Sequence, residues 1–146
     1  RQDPTYARTN GERIGRDGCR VPLPWVAGET ESNGFNNTGK SWLPQPANYR
    51  VFARNLQEGV AGSTLELYKR LLKERKAFGL GSGEFGWADE YQDKNTLAYV
   101  NNGVLVICNF GPDSVVLPAG EVLVTTQHDL TVERELEHDQ TVWIKL

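Results

Sequence analysis

Asn102-Gly103 stands between two apolar runs, 96–101 and 104–110, and no other pair in the chain limits its fold so sharply. An Asn-Gly pair takes the positive φ angles that a two-residue hairpin turn demands, so the flanking runs must return on one another as antiparallel strands. The punctuation continues, with Gly111-Pro112-Asp113 and Pro118-Ala119-Gly120 closing further short runs. Strands are expected over 84–88, 96–101, 104–110, 114–117, 121–126 and 141–145. Connections this short leave no room for crossover helices. The sheet is therefore antiparallel, and strands of this length make a small β-sandwich.

Upstream the pattern changes. A helix is expected over 64–78, with Ser63 as N-cap, Glu66 completing a capping box and Gly79 as the stop. Leu65, Tyr68 and Leu72, flanked by Leu67 and Leu71, form its apolar face, and Lys69, Arg70, Lys73, Arg75 and Lys76 gather toward the end that favours cations. That basic face reads as solvated, since Glu66 and Glu74 interrupt it. Residues 79–83 form a glycine-rich break, and the chain divides there into 1–80 and 81–146. Residues 1–14 read as loop with a short turn near Pro4, and 26–46 as a long excursion pinned by Phe35 and Trp42. The class is mainly β: an antiparallel sandwich preceded by a long loop and one helix.

Composition narrows the function classes. A net charge of −3 over 146 residues shows no basic stripe for nucleic acid. No apolar run is long enough to cross a bilayer as a helix. Cys19 and Cys108 lack metal-type spacing and read as unpaired thiols of a reducing compartment, so the expected location is cytoplasmic. The chain holds no Met and opens on Arg1, which suggests a piece of something larger.

Few residues invite chemistry. His128 and His138 lie in polar connections and read as surface histidines, with no metal or cofactor expected. Glu133, Glu135 and Glu137 read as a surface series, and Asp89 and Glu90 as solvated turn acids. Gly79, Gly81 and Gly83 follow the helix instead of opening it, and so are no phosphate loop. Trp87, Tyr91, Tyr99 and Trp143 could make a sugar-stacking platform but read as core.

The stretch from Gly15 to Trp25 differs. Its two prolines keep it extended, and Arg16, Asp17 and Arg20 sit within it. Two readings stand side by side: a salt bridge that braces the loop, or guanidinium forks held for carboxylates or hydroxyl-rich ligands such as sugars.

Arg16-Asp17, Arg20, Pro22 and Trp25, then Gly34-Phe35, Trp42-Leu43-Pro44, the Leu-Tyr-Lys-Arg-Leu-Leu of 67–72, the 104–110 strand and the Leu-Pro-x-Gly turn at 117–120 resemble the C-terminal third of α-glucosidases of glycoside hydrolase family 13. The likeness is to the oligo-1,6-glucosidase and maltase group, and the wording of 15–25 resembles the actinobacterial branch. The resemblance implies a (β/α)8 barrel ending in the loop and helix of 1–80, then a β domain over 81–146. It implies a retaining enzyme acting on α-glucoside oligosaccharides, with its catalytic carboxylates on barrel strands that no segment here matches. It also implies that Arg20 helps hold the non-reducing glucose beside an aspartate from the barrel, and that Arg16 lies near the leaving sugar. The alternative is a free-standing carbohydrate-binding β module.

Overall fold

The protein is described by a computed structural model in which residues 1–127, 130 and 134–146 are placed, and it divides into two compact units, Arg1–Leu65 and Glu66–Leu146.

The second unit is built on one five-stranded sheet, wholly antiparallel. In chain order the strands are β1 (Phe85–Trp87), β2 (Thr96–Asn101), β3 (Val104–Asn109), β4 (Val115–Val116), β5 (Glu121–Thr125), β6 (Glu135–Leu136) and β7 (Gln140–Lys145). The main sheet runs β1-β2-β3-β7-β5, and β4 pairs with β6 as a second, two-stranded sheet. The Asn102-Gly103 hairpin forms as expected, with φ of 48° and 79° at its two turn residues. Asn102 also donates its side-chain amide to Phe78 O at 2.6 Å, which ties the hairpin to the segment before it.

Strand β3 lies at the centre and is buried on both faces, as its continuous apolar run requires, while β7 beside it buries Val142 and Ile144 on one face and half-buries Trp143 on the other. Ala98, Leu105, Ile107, Val142 and Ile144 point to one face, where Leu117 and Leu136 pack on them. Val104 and Val106 point to the other, against Leu80, Leu123 and Val124. Helix α3 (Thr64–Ala77) covers that second face through Leu67 and Leu71, followed by Phe78.

This corrects the expected helix face. Tyr68 and Leu72 are exposed, because the stripe that meets the sheet is offset by one residue from the one anticipated. The helix stop is as expected. Gly79 takes φ 62°, with Leu80 N donating to Arg75 O at 3.0 Å and Gly79 N to Lys76 O at 3.3 Å, the paired bonds of a Schellman end.

Strand β6 was not anticipated. Leu136 lies between two glutamates yet is fully buried. Asn109, itself buried, holds it there: its side-chain amide donates to Leu136 O at 3.0 Å, to Glu137 O at 3.1 Å and to Asp113 O at 2.9 Å, while its Oδ1 accepts from Gly111 N at 2.9 Å. Glu137 is exposed as expected, whereas Glu135 is half-buried and accepts from Ser114 Oγ at 2.8 Å. His138 is exposed; Glu133 and His128 lie outside the described residues.

The aromatic expectation also changes. Tyr91 packs on the Leu105 side of the sheet, and Tyr99 and Trp143 on the Val106 side, all half-buried. Trp87 is 60% exposed and is not core. It stands edge-on to Phe85, also exposed, and to Tyr99, with ring centroids 5.1 and 6.5 Å away. Burial raises the Tyr99 pKa, with Cys108 adding to the shift.

The first unit is irregular, with α1 (Pro4–Arg8), α2 (Arg54–Gln57) and 3-10 turns at Asp17–Cys19 and Ala47–Phe52. Phe35 and Trp42 are both exposed, so aromatics do not pin the 26–46 excursion. Polar bonds do. Trp25 N and Val26 N donate to Asn33 O, Arg54 N to Pro24 O and Asn55 N to Trp25 O. Gln45 bridges the two sides, donating to Pro22 O and accepting from Asn33 Nδ2. No helix among the described residues is long and apolar enough to cross a membrane, and both cysteines are free.

Candidate functional site: the arginine loop

The Gly15 to Trp25 stretch takes its shape from a residue outside it. Asp3 caps α1, with its Oδ1 accepting from Thr5 N at 2.9 Å and Pro4 at the first helical position, where a missing N–H costs nothing. The same carboxylate reaches across to the loop. Its Oδ2 accepts from Arg16 N at 2.9 Å and from Arg20 Nη1 at 3.0 Å. Asp17 reciprocates: its Oδ1 accepts from Asp3 N at 2.9 Å and its Oδ2 from Gln2 N at 2.8 Å.

Two carboxylates therefore clasp the chain start to the turn at Asp17–Cys19. Gly15 has to be glycine twice over. Its φ is 80°, and a Cβ there would come within 2.7 Å of the Asp3 side chain.

The electrostatics follow from the donors. Backbone N–H groups of Thr5 and Arg16 favour the charged carboxylate and, with the Arg20 guanidinium, hold the Asp3 pKa down to about 2. Asp3 is buried, with its side chain 5% exposed, while that of Arg20 is 49% exposed. The guanidinium is thus anchored at one edge and open at the other. Arg16 is exposed, and its guanidinium makes no hydrogen bond or ion pair among the described residues.

The bracing reading holds for Arg20, which pairs with Asp3. The brace differs from the expected one, since Asp17 takes backbone amides and Asp3 takes the arginine. An aspartate of this chain, Asp3, pairs with Arg20. Asp3 was missed because an Asp before a Pro reads only as a helix cap.

Near the loop's far end, Leu23, Pro24, Trp25, Tyr49, Phe52 and Leu65 line an open cavity of about 670 Å³, mostly apolar. Neither Arg16 nor Arg20 lines it. Leu23, Trp25 and Phe52 are all exposed, an apolar surface of the kind that proteins normally cover.

No family model matches the chain. It is 32% identical to the salivary α-glucosidase of Aedes aegypti over 107 residues, covering 70% of this chain and 18% of that protein. It is 35% identical to a probable α-glucosidase of Rhizobium meliloti (strain 1021) over 89 residues, 60% of this chain and 16% of the other. Among solved structures it matches the trehalose-6-phosphate hydrolase of Bacillus licheniformis with a TM-score of 0.68 and 27% identity, over 88% of this chain and 26% of that one. The chain is thus similar to part of these hydrolases, and it spans less than a fifth of the curated relatives' length, 18% and 16%.

Proposed function

We propose that the chain is the C-terminal part of a retaining α-glucosidase that hydrolyses α-glucosidic bonds of oligosaccharides, and that it carries sugar-binding arginines without the catalytic carboxylates. In this reading residues 1–80 are the loop and helix that close a (β/α)8 barrel, and 81–146 are the β domain that follows it. Arg20 holds the non-reducing glucose and Arg16 lies near the subsite of the leaving sugar. The partner is the rest of the barrel, which would seat on the exposed apolar side chains around Leu23, Trp25 and Phe52. The wording of 15–25 supports an actinobacterial affiliation, and the free thiols of Cys19 and Cys108 support a cytoplasmic one.

The observation that carries the reading is the arginine loop itself, held by Asp3 and Asp17 within a chain alignable over 88% of its length with a glycoside hydrolase. The chemistry agrees with it. A half-exposed, pre-aimed guanidinium donates to neighbouring hydroxyls of a pyranose, while attack at the anomeric carbon needs a nucleophile and an acid on opposite sides.

A second reading, a carbohydrate-binding β module, is favoured by the exposed Trp87 and Phe85 on one face of the sheet. Calorimetric titration of the chain with maltose and isomaltose separates the two. The fragment reading expects no heat of specific binding; saturable binding lost in Trp87→Ala selects the module.

A further inference from the structure

We infer that Asp3 is the positioning residue of the arginine loop, so that Arg20 meets a sugar already aimed by an aspartate of its own chain; this rests on the reading of Arg20 as a sugar-binding residue. Three donors converge on the one carboxylate: the Thr5 amide, the Arg16 amide and the Arg20 guanidinium, at 2.9, 2.9 and 3.0 Å. A single group thus fixes the backbone where the turn begins and the side chain where it ends. The Asp17 carboxylate holds the Asp3 amide at 2.9 Å, so the anchor is itself anchored.

The geometry divides the labour between inside and outside. The Asp3 side chain is 5% exposed and lies beneath the loop, while Arg20 keeps 49% of its side chain open. With Nη1 committed to Asp3, the remaining N–H groups of the fork can face adjacent hydroxyls, and the planar guanidinium cannot turn without breaking its bond. An unanchored arginine would have to be frozen on binding, which costs roughly 2- to 12-fold in affinity for one rotamer-rich side chain. Gly15, with no room for a Cβ against Asp3, keeps the two segments at this distance.

The test begins with the 146-residue chain and the variant Asp3→Asn, which keeps the shape and a capping acceptor while removing the charge. Nitrogen-15 NMR of the Arg20 guanidinium is expected to show hindered rotation in the parent chain and free rotation in the variant. Should Asp3→Asn disturb the fold, Arg20→Ala, at an open side chain, gives a second measurement: the Asp3 carboxyl carbon then titrates at higher pH than in the parent. An unchanged guanidinium signal in a folded Asp3→Asn, or an unchanged Asp3 titration in Arg20→Ala, overturns the inference.

In the longer polypeptide that the proposed function requires, Asp3→Asn is expected to raise KM for p-nitrophenyl α-glucoside roughly 2- to 12-fold with a smaller change in kcat. Loss of substrate affinity in Arg20→Ala alone overturns the role of Asp3 and leaves the sugar-site reading standing. Unchanged affinity in both variants overturns that reading and the inference with it.

Discussion

Leu136→Ala tests the part of the fold that sequence reasoning did not foresee. Leu136 belongs to a two-residue strand, yet it is fully buried and packs with Leu105, Ile107, Leu117 and Ile144. Removing its side-chain atoms beyond Cβ forfeits their transfer energy and leaves a cavity that the sheet, fixed by β3 and β7, can close only in part. Buried Leu→Ala changes of this kind cost about 2–5 kcal/mol. Because β4 and β6 form a small sheet that can settle inward, about 3 kcal/mol is the expected loss. Urea unfolding should be followed at the amide signals of Val106 and Val142, which report on this unit alone. With a slope near 1.5 kcal/mol per M, within the usual range for small proteins, the midpoint falls by about 2 M. Val116→Ala is the control: it lies on the paired strand with its side chain exposed, and such changes stay within about 0.5 kcal/mol. A Leu136→Ala midpoint within about 0.3 M of the parent, on the same slope scale, would refute the placement of β6 over the sheet.

Other consequences follow from single residues. Asn109→Ala removes the amide that three carbonyls and one N–H share; leaving buried groups unpaired costs about 1–3 kcal/mol per group, and the same urea experiment reads it. Gly79→Ala, at φ 62°, is expected to destabilise by about 1 kcal/mol, measured as a drop in the unfolding midpoint, because alanine resists the left-handed conformation. Acid should act late on the arginine loop. The Asp3 pKa is lowered from 3.8 to about 2, so the unfolded chain binds the proton more readily, and the stability Asp3 contributes is present above the unfolded value and lost as pH falls through the folded one. Loop amide shifts that stay constant down to pH 3 and then move, in a pH titration by NMR, bear this out; a transition centred near 4 does not.

The main sheet was legible because its information is local. Asn102-Gly103 fixes a hairpin by its own conformational preferences, and the two-residue turn sets the register of the apolar runs beside it. Leu136 was not legible, since a lone leucine between glutamates carries no period; its burial is decided by Asn109, 27 residues away along the chain. The helix was visible, but its face was ambiguous. Leu65, Leu67, Tyr68, Leu71 and Leu72 spread around more than one stripe, and the sheet selects Leu67 and Leu71. At the site the two arginines stood out, whereas their anchor did not. Asp3 and Arg20 are 17 residues apart with no repeating pattern to join them, so only the fold could reveal the pair. Trp87 misled for a related reason: an aromatic in an apolar strand reads as core, but on the edge strand β1 it stays exposed.

The central claim is that this chain carries sugar-holding arginines while the chemistry lies elsewhere in a larger enzyme. Incubating the purified 146-residue chain with p-nitrophenyl α-glucoside tests it directly. The account predicts no release of p-nitrophenol above the uncatalysed rate; turnover that persists through purification and disappears in Arg20→Ala would contradict it.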